Sequence, residues 1–181
     1  MEIRRSIESE RAEISRTHIE AFGKDKGQEI ADLVNDLFDD ETAKPIVSLV
    51  ATDSEKMIGH ILFSKVCIAE ATKDITAQIL APLAVHPDFQ NRGVGEKLIN
   101  EGLEILKSSG VQLVFVLGHP GYYPRCGFKT AGVLGFEAPY PIPEEHADAW
   151  MVQGLKEEVI GSVKGRVQCS DVLSQPQHWR E

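Results

Sequence analysis

The feature that most constrains this chain is an apolar segment that runs through a proline turn into a glycine-rich helix start, residues 83–95. Residues 75–85 are mostly apolar and predict a strand, which Pro87 ends because proline cannot continue a central strand. Beyond the glycines, apolar residues recur at helical spacing to residue 106 and predict a helix over residues 92–108. Residues 111–117 are apolar almost throughout and predict a strand covered on both faces. Strand, helix and strand form a βαβ unit with parallel strands and a right-handed crossover.

The start of this helix is a candidate anion site. Backbone N–H groups at a helix N-terminus lack partners and carry partial positive charge. Gly93 and Gly95 have no Cβ, so a phosphate can approach the backbone closely, and Arg92 adds a permanent charge. A P-loop needs Lys-Ser/Thr after its last glycine, and a dinucleotide fingerprint needs glycine at position 98, which is Leu98. The pattern that remains is Gln90-x-x-Gly93-x-Gly95.

The rest of the chain predicts an α/β domain with a mixed β-sheet. Antiparallel strands are expected at residues 2–7, 46–51, 57–68, 129–137 and 149–155, the one over residues 57–68 being long. Helices are expected over residues 9–23 and around residues 30–38. A turn is expected at residues 71–74. The sheet should have about six to seven strands with helices on both faces.

We expect a single domain over residues 1–181, in which residues 170–181 form a polar tail that Trp179 anchors. The proline-rich loop at residues 138–146, together with the first two helices, is expected to form the acceptor pocket; a plain connection between strands is the alternative.

Composition excludes several classes of function. The net charge of −9 argues against a general nucleic-acid or anionic-membrane binder, because both need a basic surface. Three cysteines at scattered spacings indicate neither a disulfide framework nor a metal site. No apolar signal segment opens the chain, and no run approaches the ~18 apolar residues of a membrane span. We therefore expect a cytoplasmic protein with no metal.

The strand, proline turn and Gln-x-x-Gly-x-Gly pattern resemble the acyl-CoA motif of the GNAT superfamily of N-acetyltransferases, in particular a small bacterial branch of predicted acetyltransferases. The resemblance implies acetyl-CoA as co-substrate, with its pantetheine arm between the two diverging parallel strands. It assigns cofactor binding to Leu83, Ala84, Val85, Gln90, Asn91, Arg92, Gly93, Val94 and Gly95. A backbone N–H near residues 83–85 would stabilise the oxyanion.

A second motif follows the last parallel strand. Tyr123-x-x-x-Gly127-Phe128 looks like the family's tyrosine helix, which implies that Tyr123 is the general acid. A phenol with a pKa of about 10 can protonate a thiolate whose conjugate acid has a pKa of about 8.5. Tyr122 is expected to pack, and Arg125 either contacts a cofactor phosphate or is a surface cation. The alternative for Tyr123 is a packing aromatic side chain.

The sequence offers several candidates for the base that deprotonates the acceptor. Better-studied members of the family often carry a glutamate on the strand before the motif, but residues 75–85 contain no acid. His119 is the candidate, because its unperturbed pKa is near neutrality and it follows a strand end; a loop histidine bonded to the backbone is an equal alternative. His86, His60, Glu70 and Glu137 also stay open.

The function expected from these motifs is direct transfer of an acetyl group from acetyl-CoA to a primary amine of a small molecule or peptide. No acyl-enzyme is expected, because Cys126 has no base at a fixed spacing. The rivals are a non-catalytic CoA-binding sensor and acyl transfer to a hydroxyl or thiol. The sequence leaves a homodimer open.

Overall fold

The computed structural model describes residues 1–71 and 74–180 and places three long helices against a mixed β-sheet. The predicted turn at residues 71–74 includes positions 72 and 73, which lie outside the described residues, as does Glu181. The helices are α1 (Arg11–Phe22), α2 (Lys24–Asp39) and α3 (Val94–Ser108). The strands are β1 (Glu2–Arg5), β2 (Val47–Asp53), β3 (Lys56–Ile68), β4 (Ala77–Val85), β5 (Leu113–Leu117), β6 (Lys129–Thr130), β7 (Phe136–Glu137), β8 (Trp150–Gly154) and β9 (Gly165–Gln168).

The strand order confirms the predicted mixed sheet. The main path runs β1-β2-β3-β4-β5-β8-β6, and β9 pairs with both β3 and β7. The β4–β5 pair is parallel and is joined through α3, whereas the neighbouring pairs β3–β4 and β5–β8 are antiparallel. The single strand predicted over residues 129–137 is wrong. A 3₁₀ turn over Gly132–Leu134 divides it into β6 and β7, because a segment with glycines at 132 and 135 favours turning over continued pairing.

Helices cover both faces of the sheet, as predicted. Alternation along a strand sends neighbouring residues to opposite faces, so Leu49 and Val50 belong to different apolar clusters. The Val50 face packs against α1 and α2 through Ile14, Val34 and Leu37. The Leu49 face packs against α3, whose side chains at helical spacing are Leu98, Ile99, Leu103 and Leu106. Among residues 1–71 and 74–180, no helix combines the length and apolar character needed to cross a bilayer.

The C-terminal segment predicted as a polar tail packs against the body of the domain. Trp179 is 2% exposed, its indole N–H donates to the Leu173 carbonyl at 2.8 Å, and its ring lies 5.5 Å from the Trp150 ring. The Tyr140 hydroxyl donates to the Ser174 carbonyl at 2.9 Å. The proline-rich loop that carries Tyr140 therefore holds the C-terminal segment in place.

Two histidines form a buried hydrogen-bonded pair between α1 and β3. His18 Nε2 lies 2.8 Å from His60 Nδ1, and His60 Nε2 lies 2.8 Å from the Ser48 hydroxyl. Both rings are fully buried. Burial lowers the pKa of His18 to about 4, and burial together with the charge of His18 lowers the pKa of His60 well below its usual range. Both imidazoles are therefore neutral at pH 7.

Acidification should destabilise the fold through this pair. The pKa values of both histidines in the folded state lie below the value of about 6.5 in the unfolded chain. At pH values between the folded-state and unfolded-state pKa, the unfolded chain therefore binds more protons than the folded chain. Stability falls as the pH drops below about 6.5 for this reason. We expect the free energy of unfolding to fall by roughly 1 kcal/mol per pH unit for each histidine between pH 6.5 and 5. Urea denaturation at pH 7 and pH 5 measures it. Equal stability at both pH values would contradict the neutral buried pair.

Candidate functional site

The site begins where the two parallel strands separate. Pairing between β4 and β5 ends at Leu80, which lies opposite Val116. Directly beyond it, Ala81 and Pro82 face the single residue Leu62 of β3, which makes a bulge in β4. Pro82 has no backbone N–H with which to continue a ladder. The last residues of β4 thus remain paired with β3 and leave their other edge open.

The open edge of β4 presents backbone groups to this gap. The His86 amide donates to the Ile58 carbonyl at 2.8 Å, and successive residues of a strand direct their backbone groups to opposite sides. The amides of Leu83 and Val85 therefore face away from β3, into the gap. The Gln90 side chain donates to the Val85 carbonyl at 3.0 Å, which ties the glycine-rich loop to the end of β4.

A cleft of about 860 Å³ extends from this gap to the start of α3. It is lined on one side by β4 and the glycine-rich loop and on the other by the segment after β5. Eleven of the twelve predicted site residues line it: Leu83, Ala84, Val85, Gln90, Asn91, Gly93, Val94, Gly95, His119, Tyr123 and Arg125. Arg92 is the exception. Its guanidinium lies 5.5 Å from the ring centre of Phe89, which is itself a cleft residue.

The N-terminus of α3 has unpartnered backbone donors at the end of this cleft. Gly93 is its N-cap, with a left-handed φ of 82°, and no side chain caps the helix. Within the described residues, the first amide of this turn to donate to a protein acceptor is that of Lys97, which bonds the Gly93 carbonyl at 3.1 Å. The preceding amides, together with the helix dipole, form an anion site that the protein itself does not fill.

Gly95 has a second role besides the predicted approach of a phosphate, because a neighbouring side chain occupies the space beside it. A Cβ at this position would collide with the hydroxyl of Tyr122. The Arg125 guanidinium lies 5.1 Å from the centre of the Tyr122 ring and 3.4 Å from a Glu96 carboxylate oxygen. Gly95 therefore makes room for a phenol beside the helix N-terminus, and the charge of Glu96 there is offset by Arg125.

Tyr123 is a lining residue of the cleft whose ring is fixed by its neighbours. Its ring packs edge-on against Tyr122 and Phe128, with ring centres 5.1 Å and 5.9 Å away, and a Cβ at Gly118 would collide with it. Burial raises the pKa of its phenol well above the usual value of about 10. Tyr123 is therefore a neutral phenol at any physiological pH, able to donate a hydrogen bond or a proton.

His119 has the geometry of a backbone-bonded loop histidine. It is exposed, and its Nδ1 accepts a hydrogen bond from the Gly121 amide at 3.0 Å, so in the neutral ring Nε2 carries the proton. His86 also shapes its turn: Nδ1 accepts from the Asp88 amide at 3.1 Å, and Nε2 lies 2.8 Å from Glu20. His60 is fully buried in the pair described above. Neither Glu70 nor Glu137 lines the cleft.

Cys126 does not have the environment of a nucleophile. It is half-buried, and burial together with the nearby Glu96 carboxylate raises the pKa of its thiol. A raised pKa lowers the fraction of thiolate, which is the reactive form. The local electrostatics therefore oppose a covalent route through this residue.

A second cavity of about 330 Å³ adjoins the cleft, and Phe22, Leu83 and Tyr123 line both. Its other walls come from α2, from the diverging ends of β4 and β5, and from the C-terminal segment, including His178 and Trp179. The proline-rich loop predicted to line such a pocket does not line this cavity. The loop supports the C-terminal segment from outside, through Tyr140. In the sequence, the signal that the C-terminal segment forms part of this cavity is Trp179, a large aromatic side chain in a mostly polar segment.

Comparison with known proteins agrees with this geometry. A family model described as an acetyltransferase (GNAT) domain matches residues 2–131. YjhQ of Escherichia coli K12, an uncharacterised N-acetyltransferase, is 45% identical over 164 residues, which cover 90% of this chain and 88% of YjhQ.

Two crystal structures are also similar over nearly the whole chain. The first is the GNAT family N-acetyltransferase YhbS from Escherichia coli in complex with CoA, with a TM-score of 0.85 and 29% identity, covering 96% of this chain and 92% of that one. The second is a GNAT family acetyltransferase from Brucella melitensis in complex with acetyl-CoA, with a TM-score of 0.74 and 29% identity, covering 95% and 97%. This chain therefore belongs to the GNAT family of acetyltransferases.

Proposed function

We propose that this enzyme transfers an acetyl group from acetyl-CoA directly to a primary amine of a small molecule or peptide. The observation that carries the proposal is the row of unpartnered amides at the start of α3, which opens into the same cleft as the free edge of β4. The first group of donors suits a pyrophosphate and the second suits the amides of a pantetheine arm. YhbS and the Brucella enzyme, solved with CoA and acetyl-CoA, support this choice of co-substrate.

The residues divide the binding between backbone and side chains. We assign the pyrophosphate to the amides from Asn91 to Glu96, with Arg125 and the Tyr122 hydroxyl beside them. The amides of Leu83 and Val85 bond the extended arm in the manner of an added strand. We also assign to one of them the stabilisation of negative charge on the thioester oxygen.

Tyr123 is the proposed proton donor. When bound, acetyl-CoA supplies an activated acyl group whose leaving thiolate needs a proton. The phenol is neutral, and it lies at the wall that the cleft shares with the second cavity, which we assign to the acceptor. The burial that raises the pKa of Tyr123 also raises the proton affinity of a thiolate formed beside it, so transfer between them stays feasible.

An acceptor screen tests the function. The purified protein is incubated with acetyl-CoA and a panel of primary amines, alcohols and thiols; free thiol release gives the rate, and mass spectrometry locates the acetyl group. We expect amide products from at least one class of amine. Products acetylated on oxygen or sulfur alone would contradict the amine assignment. Tight acetyl-CoA binding without turnover of any acceptor would favour a sensor.

A further inference from the structure

The proposed acceptor cavity has an apolar interior and a polar rim. Its buried lining includes Ile79, Leu80, Leu173 and Trp179. The exposed polar side chains that line it are Lys26, Glu29, Gln177 and Arg180. Among the residues lining this cavity, His178 is the one imidazole, and it is half-buried. The cavity therefore holds one side chain whose ordinary pKa suits proton transfer near neutral pH.

The position of His178 is fixed by its neighbours in the C-terminal segment. Its amide donates to the Gln175 carbonyl at 3.1 Å. The next residue, Trp179, is locked by its hydrogen bond to Leu173 and its contact with the Trp150 ring. The imidazole is thus held on a short 3₁₀ turn, Pro176–Trp179, against the cavity.

His178 also borders a second hollow that opens to solvent. This outer hollow, of about 450 Å³, shares Glu29, Leu33, Gln177 and His178 with the cavity. Three further carboxylates line it: Asp32, Asp36 and Asp171. A proton on the imidazole therefore has an acidic exit through the outer hollow.

Burial keeps the imidazole neutral and ready to accept a proton. Burial lowers the pKa of His178, and the Glu29 carboxylate partly offsets this by raising it. Lys26 and Arg180 face the same cavity as cations, and Tyr123 faces it as a neutral phenol. At pH 7 the ring is largely unprotonated, as a general base must be.

We propose that His178 is the general base that takes a proton from the acceptor's ammonium group. The inference rests on the proposed function, in which this cavity holds the amine. One ammonium proton passes to an imidazole nitrogen and then to solvent through the outer hollow. The freed lone pair forms the C–N bond while the C–S bond breaks. The sulfur takes the proton of Tyr123, and the second proton lost by the amine restores the phenol.

The test compares His178→Gln with His146→Gln, the same change in the proline-rich loop at a residue that lines neither cavity. For an amine found active in the screen, kcat/KM is measured from pH 5 to 9. The wild type should rise through an apparent pKa below about 6.5 and then level off. His178→Gln should lose about 10²- to 10⁴-fold near neutral pH and keep rising with pH toward the amine's own pKa. CoA affinity and the H146Q profile should match wild type.

Other outcomes distinguish a failure of the His178 assignment from a failure of the proposed function. An H178Q profile that overlies wild type overturns this inference and leaves the proposed function intact. If H178Q does not fold, the wild-type profile decides: a rise that continues to the amine's pKa, with no plateau, overturns it. A wild type that binds CoA but acetylates no amine overturns the proposed function, and this inference falls with it.

Discussion

Replacing Tyr123 with phenylalanine should lower kcat by about 10²- to 10⁴-fold while leaving acetyl-CoA affinity close to wild type. The change removes the neutral phenol at the wall between cleft and cavity and keeps the ring that packs on Tyr122 and Phe128. A leaving thiolate would then lack its proton donor, whereas the amides that hold the co-substrate are unaltered. Steady-state rates and calorimetric binding of acetyl-CoA measure the two quantities separately.

Tyr140→Phe is the matched control for this prediction. It also removes one phenol hydroxyl, whose hydrogen bond to Ser174 lies outside the cleft. We expect a loss of about 1 kcal/mol in stability and a kcat near wild type. If Y123F kept the kcat of the wild type, Tyr123 would be a packing residue and the acid assignment would be wrong.

Replacing Gly93 with valine should weaken CoA binding by at least about tenfold. Gly93 has a φ of 82° and lines the cleft, and a Cβ there meets no protein atom within 4 Å. A branched side chain would therefore occupy the space before the amides and disfavour the backbone that aims them. A hydrogen bond to a charged phosphate contributes about 1.5–3 kcal/mol, so losing one or two of them lowers the CoA affinity by at least about tenfold.

Gly110→Val separates the effect of backbone strain from the effect of a side chain that blocks the phosphate site. Gly110 follows the other end of α3 with a similar φ of 93° and equally open surroundings. Both variants should therefore show similar losses of stability in urea denaturation, from strain of about 1–2 kcal/mol. CoA affinity should fall in G93V alone. Equal CoA affinities in the two variants would show that the phosphate does not bind at the start of α3.

The sequence could predict the elements whose signals are local. The βαβ unit could be predicted because the apolar strands, the proline that ends the first strand and the helical periodicity agree over residues 75–117. The anion site followed from the same stretch, because helix N-termini and glycines have fixed physical properties. The resemblance to the family's tyrosine motif pointed to Tyr123, and Tyr123 lines the cleft.

What the sequence could not show depends on contacts between distant segments. Trp179 anchors the C-terminal segment as expected, but the sequence did not show that Tyr140 also holds it or that it forms a wall of the second cavity. His178 was missed as a base candidate for that reason. Nor could the sequence show that the missing Cβ of Gly95 also leaves space for Tyr122, 27 residues later in the chain. The bulge that opens β4 also depends on its register with β3.

Titration of ¹⁵N-labelled protein with CoA, followed by backbone amide NMR, tests the central claim most directly. The account predicts saturable shifts that are largest at the amides from Asn91 to Glu96, with a second group at Leu83 and Val85. Saturable binding that shifted other amides and left these unmoved would contradict it.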